Sequence, residues 1–119
     1  MAEFTKRKLS GSVDGCGISV SSVSGGGTSG TIHQGVAGTS DIDEVWLYAV
    51  NRGTSTVVNL TLEWGTSGTA GNIKAALVGG DGLMLVAPGL LIQNSLPITA
   101  FAETANVITV HGYVNRITE

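Results

Sequence analysis

At 119 residues the chain is the size of one domain, and its 42% hydrophobic content can fill one core without a disulfide or a metal. Charged residues make up only 13%, about half the share usual in soluble domains. The polar surface must therefore come from hydroxyls and from the 18 glycines, which suits a component of an assembly better than a freely diffusing enzyme. The net charge of −3 is also uneven: residues 1–8 read as a solvated basic arm carrying Lys6, Arg7 and Lys8, while the body keeps only Arg52, Lys74 and Arg116 against eight acids. That balance argues against nucleic acid as a partner, since phosphate binding needs several Lys or Arg in one stripe. A functional alternative for the arm is docking onto an acidic partner surface.

No apolar run approaches the length of a membrane span, and the first residues lack the apolar stretch of a signal peptide. The expectation is a chain that works in the cytoplasm where it is made, without a membrane, unless a particle carries it out. The lone Cys16 rules out an internal disulfide.

In chain order, Lys8–Ser12, Ile18–Val23 and Thr31–Val36 read as weak strands between glycine-rich turns. Residues 25–30 match the spacing G-x-G-x-x-G, but the adjoining segment, Thr31 to Gly38, is β-branched and broken by glycine. No helix can start there to meet a pyrophosphate, so the run reads as a loop. Asp41, Asp43 and Glu44 form the one acidic cluster. It lacks the glycine and distal Glu of a calcium loop, and reads as exposed acids in a turn that hydrogen-bond backbone N–H groups. Residues 43–51 then place Val45, Leu47 and Ala49 on one face and Trp46, Tyr48 and Val50 on the other. A strand apolar on both faces is central or meets a neighbouring subunit.

Asn51 to Ser55 reads as a turn, and 56–64 alternates again, with Val58, Leu60, Leu62 and Trp64 against Val57, Asn59, Thr61 and Glu63. The pair 43–51 and 56–64 is the best hairpin candidate. Gly65 to Gly71 must be a loop. Strands come next at about 72–78, 83–87, 90–93, 97–102 and 106–117, with a tight turn at Pro88-Gly89. Gly112 inside the last strand suggests a bulge or the close approach of another backbone. Eight or nine short strands without a 3.6-residue repeat predict an all-β fold, a single-domain antiparallel β-sandwich or jelly roll over residues 9–119.

Chemistry is sparse. Two histidines, His33 and His111, cannot make a His-rich metal site. A triad needs a nucleophile beside a His with an orienting acid, and no nucleophile elbow occurs. Glu63 and Glu103 are eligible as paired carboxylates, but few charges are present to tune them. These residues point to a non-enzyme with no cofactor. Trp64 shares a face with Leu60 and Leu62 and belongs to the core, whereas Trp46 and Tyr48 are open to a partner or to a sugar. Asn59-Leu60-Thr61 matches a glycosylation sequon but falls mid-strand.

Five stretches carry a resemblance: Gly30-Thr31-Ile32-His33; Asp43-Glu44-Val45-Trp46-Leu47-Tyr48-Ala49-Val50-Asn51; Leu60-Thr61-Leu62-Glu63-Trp64-Gly65; Val86-Ala87-Pro88-Gly89-Leu90; and residues 105–117, Ala-Asn-Val-Ile-Thr-Val-His-Gly-Tyr-Val-Asn-Arg-Ile. Together they resemble a family of small structural proteins of tailed bacteriophages. The resemblance implies a virion component, a capsid decoration (cement) protein that sits on the outer shell as a homotrimer and clamps neighbouring major capsid proteins. Lys6, Arg7, Lys8, Trp46 and Tyr48 are the expected partner-binding residues. A tail, adaptor or fibre-associated protein, or a carbohydrate-binding module using Trp46 and Tyr48, are the alternatives.

Overall fold

The alternating pattern is realised as nine strands in a computed structural model that describes residues 3–25, 30–65 and 70–118; no helix occurs among the described residues. They are β1 (Glu3–Lys8), β2 (Ile18–Ser19), β3 (Thr31–Gln34), β4 (Ile42–Asn51), β5 (Val57–Trp64), β6 (Asn72–Val78), β7 (Met84–Ile92), β8 (Pro97–Ala102) and β9 (Ile108–Thr118). Two antiparallel sheets result. One is ordered β1-β9-β4-β7, with the short β2 also pairing β9; the other is ordered β3-β8-β5-β6. The glycine-rich run 25–30 and the loop 65–71 lie partly outside the described residues.

The two sheets close on one core, as a sandwich requires. β4 alternates strictly: Asp43, Val45, Leu47, Ala49 and Asn51 are buried, and Ile42, Glu44, Trp46, Tyr48 and Val50 are half-buried on the outer face. Facing β4 are Val58, Leu60 and Leu62 of β5, with Ile98, Ala100 and Ala102 of β8; the first sheet adds Ile108, Val110 and Val114 of β9 and Ala87 and Ile92 of β7. Each large side chain so buried contributes about 1.5–3 kcal/mol. Trp64 packs against this cluster as its side of β5 predicts, and its Nε1 donates to the Leu91 carbonyl at 3.0 Å.

β4 and β5 do not form a hairpin. β4 pairs with β9 and β7, whereas β5 pairs with β6 and β8. Alternation is the same for two strands that pair and for two that face each other across a core, so the pattern alone could not separate them. What makes the corner is Asn51: its Nδ2 donates to the carbonyls of Thr56 and Leu77, both at 2.9 Å, and its Oδ1 accepts the Gly53 N–H at 2.9 Å. The chain is thereby held as it passes from one sheet to the other.

Pro88-Gly89 is not a turn either. Both lie inside β7, where the register passes from Val45↔Leu90 to Trp46↔Pro88 and leaves Gly89 unpaired, and a second shift leaves out Val86. Gly89 takes φ 75°, a bulge conformation that costs glycine nothing, and an edge strand tolerates the proline. Gly112 marks a close approach rather than a bulge: β4 and β9 pair in unbroken register, and a Cβ at Gly112 would fall 2.1 Å from the Trp46 carbonyl oxygen.

The first eight residues differ most from expectation. Glu3–Lys8, read as an arm outside the sandwich, is the edge strand β1, paired residue by residue with β9 from Glu3↔Thr118 to Lys8↔Tyr113. All its side chains are exposed, so it adds almost nothing to the core and is held by ladder hydrogen bonds. A strand that buries nothing leaves no apolar alternation to read.

Candidate docking face and basic cleft

Residues directly opposite each other in an antiparallel ladder share a face, and the register builds the outer face of the β1-β9-β4-β7 sheet row by row. Phe4, Ile117 and Ile42 make one row; Lys6, Asn115, Glu44 and Leu91 the next; Lys8, Tyr113, Trp46 and Pro88 the third; His111, Tyr48 and Leu85 the fourth. The rows are tied together. Trp46 and Tyr113 lie nearly parallel, 6.3 Å between centroids and 12° between planes, and the Lys6 ammonium sits 4.7 Å over the Tyr113 ring. Trp46 Nε1 and Asn115 Nδ2 both donate to Glu44 Oε1, at 2.9 and 3.0 Å. These two bonds, Asn115 first, hold the Glu44 carboxyl below its ordinary range. Underneath, Gly89 leaves room for the indole, since a Cβ there would come within 3.0 Å of the Trp46 ring. Trp46 is therefore fixed in place while still open to solvent on one side.

The margins of this face are apolar and exposed: Phe4 at 71%, Leu85 at 50% and Leu91 at 53%. An antiparallel sheet with a solvated second face normally carries polar residues there.

The opposite, inward parity of the same strands holds a buried ion pair. Asp43 is fully buried, and its carboxylate accepts from Arg116 Nε (2.8 Å) and Nη2 (3.1 Å), from His33 Nε2 (2.8 Å) and from the Val36 N–H (3.1 Å). The Ser10 N–H donates to His33 Nδ1 at 3.1 Å, which makes Nδ1 an acceptor and puts the ring proton on Nε2, facing Asp43. Burial raises the Asp43 carboxyl, but the hydrogen bonds from Arg116 and then His33, with the Arg116 charge, outweigh it and hold the group below its ordinary 3.8. Arg116 is held above its ordinary value, first by its hydrogen bond to Asp43. A cleft of about 380 Å³ opens over this pair, lined by Arg7, Lys8, Ser10, His33, Gln34 and Arg116.

The expected partner-binding residues are thus divided. Lys6, Lys8, Trp46 and Tyr48 share the outer face; Arg7, opposite Val114, has the inward parity and lines the cleft, whose rim Lys8 also reaches from the end of β1. Asp43 and Glu44 point to opposite faces of β4, so they cannot share a calcium ion, and Asp43 is not the exposed turn acid its neighbourhood suggested, although it does accept a backbone N–H. Among the described residues no three His, Cys, Asp or Glu side chains gather at metal-ligand spacing. His33 does reach an acid, as a triad would need, but its other nitrogen takes a backbone amide and not a hydroxyl. Glu63 accepts from Thr99 Oγ1 at 2.9 Å and Glu103 from the Asn59 N–H at 2.8 Å.

No protein-family model, curated protein or solved structure matches this chain.

Proposed function

We propose that this protein is a virion structural protein, a capsid decoration (cement) protein of a tailed bacteriophage that acts as a homotrimer. It docks on the outside of an assembled shell of major capsid protein and stabilises that shell. The observation that carries this reading is the outer face of the β1-β9-β4-β7 sheet, where an ordered Trp46–Tyr113 pair is flanked by exposed Phe4, Leu85 and Leu91. Exposed apolar side chains around an ordered aromatic pair support a contact surface. The strand order is compatible with this reading: apart from β1–β2 and β5–β6, consecutive strands cross between the sheets, as they would in a jelly roll, an architecture that capsid and lectin domains use. Fold alone does not assign function, so the weight rests on the face.

The mechanism is linkage. A ligand that binds only the assembled shell stabilises it by mass action, and a normal specific contact of about 1,600 Å² is within reach of a sheet face. The test is solution mass by light scattering, then co-sedimentation with empty shells assembled from the major capsid protein of the same genome. A trimer that pellets with the shells is expected. A monomer that stays in the supernatant refutes the reading, and pelleting with tails instead of heads moves the protein to the tail. The near-parallel Trp46–Tyr113 pair also favours a second reading, a glycan platform. Glycan binding that is lost in Trp46→Ala, with the solution mass unchanged, would select it.

A further inference from the structure

We propose that the cleft over the Asp43–Arg116 pair is an oxyanion-binding site that takes a single carboxylate or phosphate group. This goes beyond the docking face and does not depend on it, because the floor of the cleft, Arg116 over Asp43 and His33, has the inward parity; Lys8, at the end of β1, has the outer parity and reaches the rim.

The site has a rigid floor and spare donors. Arg116 carries five N–H donors, of which Nε–H and one on Nη2 go to Asp43. Asp43 is fully buried and also held by His33 and the Val36 amide, so it fixes the guanidinium plane. The remaining edge of that plane is left for the cleft that Arg116 lines. Ser10 is tied down from two directions: its N–H donates to His33 Nδ1, and its Oγ accepts the Gln34 N–H at 2.6 Å. Its hydroxyl proton is the one group of Ser10 left to donate. A preorganised fork and a positioned hydroxyl are what a planar or tetrahedral oxyanion recognises.

Charge points the same way. Asp43, and at longer range Asp41, offset Arg116, but Arg7 and Lys8 at the rim form no ion pair among the described residues, so the cleft keeps a positive excess. Beyond residue 8 the rest of the chain is acidic, which makes this the place on the molecule where cations concentrate. Two unpaired cations on a lip, above an arginine that cannot swing away, attract an anion and then orient it.

The test uses the full chain, isotopically labelled, with amide and Arg Nε–H shifts monitored at constant ionic strength. Three probes are titrated separately: inorganic phosphate, a capped Glu-containing peptide and sodium chloride. Saturable shifts at Ser10, Gln34 and Arg116 Nε–H are expected with phosphate or the peptide, and none with chloride. Saturation by the peptide alone identifies a protein carboxylate as the ligand; saturation by phosphate alone identifies a phosphate; either supports the site. In Arg7→Ala/Lys8→Ala, whose exposed side chains bury nothing, the affinity should fall at least tenfold while the spectrum elsewhere is retained. Shifts that never saturate, that chloride reproduces, or that the double variant leaves unchanged overturn the proposal.

Discussion

Replacing Asp43 by Ala tests whether the buried pair organises the junction of β1, β3, β4 and β9. The substitution removes the acceptor of four hydrogen bonds at 2.8–3.1 Å. Arg116, which reaches the cleft, can rehydrate part of its guanidinium. His33 is 2% exposed and cannot, so its Nε2–H is left unsatisfied. An orphaned buried donor costs about 1–3 kcal/mol, and breaking one side of a buried ion pair costs about 3–5 kcal/mol in total. That is a large fraction of the roughly 5–15 kcal/mol that holds a typical domain, and for a chain of this length it lowers Tm by about 10–20 °C. Asp43→Asn keeps the shape and one acceptor and should lose less, about 1.5–3 kcal/mol. Urea midpoints at neutral pH, with the slope unchanged, measure both. An Asp43→Ala protein within about 1 kcal/mol of the parent would refute the assignment of this cluster as a structural tie.

Because the folded Asp43 carboxyl lies below its unfolded 3.8, its contribution is complete above that value and is lost as pH falls through the folded value. The difference in urea midpoint between parent and Asp43→Asn should therefore shrink on acidification below pH 3.8; a difference that stays constant contradicts it. Gly112→Ala would set a Cβ 2.1 Å from the Trp46 carbonyl in the middle of a sheet that cannot yield, so a loss of about 1–3 kcal/mol or more is expected in thermal melts. Leu85→Glu/Leu91→Glu should change stability by less than about 1 kcal/mol, since both side chains are half-exposed, yet abolish sedimentation with shells. Salt should weaken that sedimentation only slightly, because the exposed Phe4, Leu85 and Leu91 that carry the contact bear no charge; a collapse at moderate salt would assign the contact to Lys6 and Lys8 instead.

The fold class was legible because period-two alternation survives in β4, β5 and β9, and the face assignments of β4 derive from it residue by residue. Sheet membership was not, because alternation reports which residues are inward and not which strand pairs with which. The same ambiguity hid the site. Asp43 has the parity of Val45 and Leu47, and Arg116 that of Val110 and Val114, so two opposite charges occupied core-facing positions in strands that the pattern had already drawn. Only the β4–β9 register, which sets Asp43 opposite Arg116, makes them partners. Ser10 left no trace, since its role depends on a turn geometry rather than on a period. Lys6, Trp46 and Tyr113 converge for the same reason as the buried pair: a register contact between segments distant in sequence.

The two edges of the β1-β9-β4-β7 sheet are guarded differently, and the difference bears on how a partner of the proposed kind would meet it. Exposed edges invite strand addition, which proteins resist with lysines, prolines and bulges. β1 carries Lys6, Arg7 and Lys8. β7 has no charge from Gly82 to Gln93, and its protection is Pro88, which lacks an N–H, together with the two register shifts around Val86 and Gly89. Those shifts break the straight ladder that an added strand would need, while leaving Leu85 and Leu91 displayed. Association at this edge should then proceed through side chains and not by extending the sheet. Hydrogen exchange distinguishes the two: in the assembled state the unpaired β7 amides should exchange nearly as fast as in the free protein. Strong protection of those amides on assembly would mean that β7 accepts a partner strand, and that its irregularities do not guard it.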